Sequence, residues 1–332
     1  MASSRTKITE IVTGLAMMGF PSVDRALAVR PDWFLNVGDD EYDLLADELA
    51  QGDSDDEFAT AWEHGQRFLA SADGLRGRIP DRVEWQGPGR PPGYDQIPAD
   101  LRVDHVYLIS CKYGSDILYN ASPAHVFDRL LAEKRGDRTD WFWEVAPEAH
   151  QDLYERSVRC MGLGDMPACV ADLSRESRER LKDALPTRGA WPDELVAPYR
   201  DFVNAVSVAT AHRWKDNLSD KAVQEEMLWR LLRFQPAPYF VLGASSDGTP
   251  LRFRVGTPSD FRRSYSIRAF DVWADAMGQP TVRWRAELAG AERAIEGHVE
   301  VRWSRGRFGG VPEAKVYLDT PHHHVANYQP IA

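Results

Sequence analysis

The spacing of apolar positions changes along the chain, and each change predicts a different kind of element. Near the N-terminus Ile8, Ile11, Val12, Leu15 and Met18 fall on one face of a helix. This run follows Arg5 and Lys7 and precedes Ala26-Leu27-Ala28, as a cleavable leader would. Glu10, Pro21, Asp24 and Arg25 interrupt that pattern, so a core-facing or partner-facing helix is predicted. A second helix is predicted over Glu57–Ser71, with Phe58, Trp62 and Phe68 as anchors and Glu63 among them. Val83-Glu84-Trp85 reads as a short strand, and the Gly- and Pro-rich loop 87–93 cannot be regular structure. A strand then runs from Val103, has Asp104 at its start, and ends in Ser110-Cys111-Lys112.

Asn120-Ala121-Ser122-Pro123 predicts a helix start, continued through Val126, Phe127, Leu130 and Leu131. Residues 140–235 are helical in pattern until Pro236-Ala237-Pro238 stops them. Tyr239–Leu242, a Ser245-Ser246-Asp247-Gly248 turn and Leu251–Val255 form a β-hairpin by the usual signals. Further strands are predicted at Val282–Leu288, His298–Trp303 and Ala314–Leu318. The expected fold class is α/β (α+β), divided into a mixed core with N-terminal helices over 1–139, a helical region over 140–235, and a mostly antiparallel β-rich region over 236–332.

Composition narrows the reading. A chain of 332 residues supports one large or two ordinary domains. Three cysteines, Cys111, Cys160 and Cys169, make no disulfide framework or zinc half-site and fit a reducing cytoplasm. No apolar stretch approaches the ~20 residues of a membrane span. The net charge of −11 is uneven: −10 over 1–100, −3 over 101–236 and +2 over 237–332. Such a chain is a poor candidate for nonspecific coating of a duplex. Most of its basic residues are arginine, which suits phosphate forks but also follows from GC-rich coding. The absence of GxxxxGK[ST], GxGxxG and GxSxG removes the usual support for a nucleotide-driven motor, a Rossmann dehydrogenase or an α/β-hydrolase.

The chemistry concentrates on Lys112. A lysine closing a buried strand needs an anionic partner, because its charge loses hydration there. A metal-dependent nuclease places two or three carboxylates and a lysine around the attacked phosphate. Asp104, Ser110 and Lys112 share a face of an extended strand. Extended geometry puts Asp104 and Lys112 ~26 Å apart, too far for one metal site unless a turn intervenes. Asp95 and Asp100 in the preceding loop and Glu84 on the preceding strand therefore compete for the acid's role. The plainer alternative is a partly buried lysine satisfied by one acid.

Leu108 to Ser115, followed by Asn120-Ala121-Ser122-Pro123 and a helix holding Phe127, resembles the core of PD-(D/E)xK restriction-endonuclease-like proteins. More narrowly, it is similar to restriction-type members with serine before the lysine, and the likeness covers about residues 57–135. The resemblance implies an αβββαβ core, a mixed sheet flanked by helices, and a Mg²⁺ site. Lys112 matches the motif lysine, and Ser110 stands where Asp or Glu usually stands, which removes a metal ligand. Glu84 or Asp104 would match the upstream acid and hold the metal, and Glu63 would match a helix glutamate of some members. The implied function is a cytoplasmic endonuclease acting on DNA, in restriction or defence. A protein partner from the same defence system and a homodimer are both compatible with it. The alternative is a relative that keeps the fold as a nucleic-acid-binding or partner-binding module.

Near the C-terminus Glu300, Glu313 and Lys315 offer a second grouping, read more simply as a surface ion-pair ladder. Arg302, Arg305 and Arg307, interleaved with Trp303 and glycines, suit phosphate or base-stacking contact as well as a solvated hairpin. His322-His323-His324 diverge on an extended segment and make a weak metal site.

Overall fold

The computed structural model describes residues 4–87, 98–114, 116–132, 139–185, 189–275 and 278–331. The strands in chain order are β1 (Phe34–Leu35), β2 (Val83–Trp85), β3 (Leu101–Val103), β4 (Tyr107–Tyr113), β5 (Ile117–Ala121) and β6 (Tyr239–Ala244). They continue with β7 (Pro250–Val255), β8 (Ser266–Asp275), β9 (Thr281–Ala289), β10 (Ile295–Trp303), β11 (Pro312–Leu318) and β12 (Tyr328–Pro330). Two sheets and many helices make the fold mixed α+β. No helix among the described residues is long and apolar enough to cross a membrane.

The chain divides into two compact units: residues 1–116, 234–263 and 322–332 form one, and residues 117–233 and 264–321 the other. A boundary falls at 233/234, beside the expected 235, whereas the expected 139 lies inside the second unit and the expected 236–332 region divides between the two. The physical reason is strand pairing. The 239–255 hairpin forms as the sequence predicts, but β6 lies parallel to β4, with Ser110 opposite Val241 and Lys112 opposite Gly243.

The first unit's sheet has the order β1-β2-β3-β4-β6-β7-β12. Within it β2, β3 and β4 form an antiparallel meander, and β6 and β7 an antiparallel pair. One face presents Val83, Trp85, Leu101, Val103, Ile109, Phe240 and Leu242. Ile8, Ile11, Val12 and Leu15, with Phe58, Ala61 and Phe68 of the Asp55–Ala70 helix, cover it. Each fully buried side chain of this size contributes ~1.5–3 kcal/mol relative to exposure. The two helical segments approach closely at Gly65, where a Cβ would stand 2.3 Å from the Thr13 carbonyl oxygen. The Thr13 hydroxyl also donates to the Ala61 carbonyl at 3.2 Å. The N-terminal run is α-helical over Ser4–Lys7 and Thr13–Ala16, with a π-helical turn over Ile8–Val12 between them. Such turns add a residue to the helix and frequently mark functional positions.

The second unit is built on an antiparallel sheet of order β5-β11-β10-β9-β8. The Asp193–Asn217 helix packs on β8 and β9 and on the Pro147–Cys160 helix. The expected strands at 282–288, 298–303 and 314–318 all lie within β9, β10 and β11. The helix expected from Ser122 is capped there as predicted but spans only Pro123–Phe127. Positive φ angles at Leu130 (50°) and Leu131 (58°) keep those two residues out of it.

Candidate functional site

The β3–β4 connection decides which acid can serve Lys112. The strand does not run unbroken from Val103. Asp104 and His105 both take positive φ, 49° and 60°, and the Val106 N–H returns to the Val103 carbonyl at 3.0 Å, closing a two-residue hairpin turn. Asp104 therefore sits at the end of β4 away from Lys112, and Tyr107 alone is roughly 17 Å from Lys112 along an extended strand. Its carboxylate is used locally: Oδ2 accepts from Arg78 at 2.5 Å and Oδ1 from the Arg82 backbone N–H at 3.0 Å. The turn separates Asp104 from Lys112 instead of joining them.

Glu84 lies opposite Arg102, which in turn lies opposite Leu108. Only 6% exposed, it accepts from Arg102 Nε at 2.7 Å and from Nη2, and its other oxygen lies 3.3 Å from His105 Nδ1. It is two strands across and two residues short of Ser110, about 9.6 Å by about 7 Å from it. Its partner is a guanidinium of the meander. Glu63 belongs to the Asp55–Ala70 helix, where it pairs with Arg252 of β7. It accepts from Arg252 Nη2 at 2.8 Å, and that hydrogen bond holds its carboxyl below the usual range. Neither residue is brought to Lys112.

Asp100 is the acid that reaches the motif. Its backbone N–H donates to the Ile109 carbonyl at 2.7 Å, and its carbonyl accepts from the Gln86 N–H at 2.9 Å, so it extends β3 by one residue. Its register is thus opposite Ser110. Asp100 Oδ2 accepts from the Cys111 N–H at 2.7 Å and from the Ser110 hydroxyl at 3.3 Å. Where β3 runs out, a carboxylate replaces the ladder's next carbonyl. Asp95 lies outside the described residues.

A second carboxylate comes from the π-helical turn. Glu10 Oε2 accepts from the Trp85 indole N–H at 2.6 Å. The Cys111 thiol is pushed well above its ordinary pKa, first by burial, then by the carboxylates of Asp100 and Glu10. It is therefore an unreactive thiol that reports both acids nearby. Sequence spacing gave Glu10 no weight, because in a regular helix it reads only as a polar interruption of an apolar face.

On the other side of β4, Gly243 has φ 143°, and a Cβ there would stand 1.6 Å from the Lys112 carbonyl oxygen. Beyond Lys112, Asp116 accepts from the Ser246 N–H at 3.1 Å and from its hydroxyl. His322 stacks on Phe253 at 5.2 Å. Its pKa is lowered chiefly by burial, against Asp116, with His323 and Lys112 pushing the same way as burial. Lys112 and Asp116 thus both act on His322, and Lys112, Asp100 and Glu10 all act on Cys111. Among the described residues no group of three or more His, Cys, Asp or Glu side chains that could hold a metal ion is present.

In the second unit the expected ladder forms. Arg302 donates to Glu313 at 3.1 Å across β10–β11, Lys315 lies 3.7 Å from Glu313, and the Tyr317 hydroxyl donates to Glu300 at 3.4 Å. Arg305 is exposed, whereas Arg307 is buried at 9%. The structure does not group the three arginines on one open face. Comparison of the chain with protein-family models, with curated proteins and with solved structures finds no match.

Proposed function

We propose that the first unit is a restriction-endonuclease-like core and that the chain is a Mg²⁺-dependent endonuclease hydrolysing DNA. Its place in restriction or defence rests on the resemblance to restriction-type members. What carries the reading is Asp100, whose carboxylate is bonded to Ser110 and Cys111 beside Lys112. The strand order supports it. Across β2-β3-β4-β6-β7, β3 and β7 run opposite to the other three, as an αβββαβ core with one further strand requires. In this reading the second unit's residues 117–233 replace the helix between the third and fourth strands.

Asp100 takes the role expected of Asp104 or Glu84, and Glu10 the role expected of Glu63. The donor chemistry fits the ion: Mg²⁺ is commonly held by one or two carboxylates, with water and substrate phosphate completing its shell. Asp100 would hold it, with Glu10 as the second acid. When bound, the ion would lower the pKa of a water and offset charge on the phosphate. The chain's own part is positional. Lys112 stabilises charge developing on the phosphate. Ser110 and the Cys111 N–H fix the Asp100 carboxylate, and Trp85 fixes Glu10.

Asp100→Asn and Lys112→Ala should each abolish Mg²⁺-dependent cleavage of plasmid DNA with the fold retained by circular dichroism. A wild-type protein that never cleaves DNA with Mg²⁺ or Mn²⁺, alone or with a protein encoded beside it, would sink the enzymatic reading. One observation favours a second reading, a non-catalytic binding module: Ser110 occupies an acid's position. Steeply salt-dependent DNA binding without cleavage would select it.

A further inference from the structure

The second unit contains a cavity of about 480 Å³, within the range of small-ligand sites and sized for one nucleotide, not a duplex. Trp191, Tyr199, Gln279, Arg302, Trp303 and Arg307 are among the residues that line it. Arg307 is its unusual member. The guanidinium lies 4.0 Å over the Trp191 ring and donates from Nη2 to the Gly189 carbonyl at 2.7 Å. Trp191 stacks in turn on Tyr199 at 4.5 Å, and the Tyr199 hydroxyl is tied to the Gly278 carbonyl at 2.9 Å. These contacts fix Arg307 in place but supply no anion.

Among the described residues Arg307 forms no ion pair, and its Nη1 has no hydrogen-bond acceptor. The buried indole N–H of Trp303 also has none. Burial pushes the Arg307 pKa below its ordinary value, as expected for a cation without a counter-charge. A buried charge left this way costs several kcal/mol unless something else meets it. Both unmet groups are donors, so what meets them must be rich in acceptors. Glu313, the acid at the lining, does not answer the need, since it is already paired with Arg302 and Lys315.

We propose that this cavity is a binding site for a single nucleotide, with Arg307 and Trp303 donating to its acceptor atoms and the aromatic walls receiving the base. The site rests on the nucleic-acid reading above, and makes Arg307 an interior ligand-binding group and not a surface phosphate contact. An aromatic wall and a guanidinium are two features by which proteins hold an unstacked base. The polar Gln279 and the Arg302–Glu313 pair at the lining offer groups for the base edge.

The test is calorimetric titration of the intact protein with deoxynucleoside monophosphates, the matching nucleosides and inorganic phosphate. The expected result is saturable binding of at least one monophosphate below roughly 1 mM, with its nucleoside and phosphate each about tenfold weaker. Arg307→Met, which keeps the apolar stem but no donor, should weaken binding by about tenfold or more. Should that variant fail to fold, Gln279→Trp fills the cavity while leaving the buried cation in place, and it should abolish binding. No binding of any monophosphate, binding unchanged in both variants, or phosphate alone binding equally well would each overturn the nucleotide site. Lys112→Ala separates this from the nuclease reading. Lys112-dependent cleavage without nucleotide binding removes the pocket alone, whereas Arg307-dependent binding in a protein that never cleaves supports the pocket and removes the nuclease.

Discussion

Acid should destabilise the second unit through one buried ring, and His150→Phe should remove the effect. His150 lies on the Pro147–Cys160 helix with no exposure, boxed by Phe142 at 5.6 Å, Phe202 at 5.7 Å and Phe308 at 5.9 Å. Neither ring nitrogen has a hydrogen-bond partner among the described residues. Burial lowers its pKa from 6.5 to about 4, with Asp140 opposing and Arg178 reinforcing the shift. As pH falls below 6.5 the unfolded chain takes up a proton that the folded ring refuses, so stability drops continuously toward pH 4. A gap of that size is worth about 3 kcal/mol, all of it lost below the folded-state pKa and none of it above 6.5. At neutral pH the substitution should itself stabilise by about 1–3 kcal/mol, because two unmet polar atoms leave the core. Urea unfolding of both proteins at steps from pH 7.5 to pH 4 checks this. The difference between the two curves should be flat above 6.5 and widen below it. His64, also lowered to about 4 by burial, is common to both proteins and cancels. Parallel curves throughout would show that His150 gains a proton or a partner in the folded state, and would refute the argument.

Gly243→Ala should prevent soluble folding or destabilise by more than about 3 kcal/mol, because the new Cβ would meet the Lys112 carbonyl and the φ of 143° disfavours a side chain; chemical denaturation reads it. Arg102→Met should cost about 3–5 kcal/mol by leaving the Glu84 carboxylate buried without its guanidinium, whereas the double change with Glu84→Gln should recover most of that. Glu63→Gln should leave any Mg²⁺-dependent cleavage unchanged and shift stability by less than about 1 kcal/mol, since its Arg252 pair is half exposed. Cleavage lost in Glu63→Gln but kept in Glu10→Gln would reverse the assignment of the helix acid.

The strand carrying Lys112 was legible because an unbroken apolar run with a polar end is a strong period signal. The hairpin turn inside it was not. Val103-Asp104-His105-Val106 lacks the glycine that usually announces such a turn, and Asp104 and His105 accept positive φ without one. That turn lies at the far end of β4, so it does not bring Asp104 back to Lys112. The 239–255 hairpin was equally legible, yet nothing local records that β6 returns to lie parallel to β4 after a long excursion. Parallel pairing across such a separation leaves no trace in the spacing of apolar residues. The expected 236–332 region divides between the two units for that reason, while the helices of 140–235 and the strands β9, β10 and β11 followed their periods.

Register also explains why the loop acid, and neither strand acid, stands beside Ser110. A carboxylate serves a strand-end lysine only if it stands at the same level of the ladder. Glu84 is fixed two residues away by its pairing with Arg102, and Asp104 lies in the turn at the far end of β4. Asp100 reaches the level of Ser110 because β3 begins there, leaving the Cys111 N–H without a backbone acceptor for the carboxylate to replace. The hydrogen bond that completes the sheet therefore also positions the acid. The structural role and the proposed catalytic role of Asp100 separate in one comparison: Asp100→Asn keeps an oxygen for the Cys111 N–H but removes the charge, while Asp100→Ala removes both. If Asp100 only completes the ladder, asparagine restores cleavage and alanine lowers stability by about 1–3 kcal/mol. If it is the motif acid, both variants are inactive, and only alanine is also less stable.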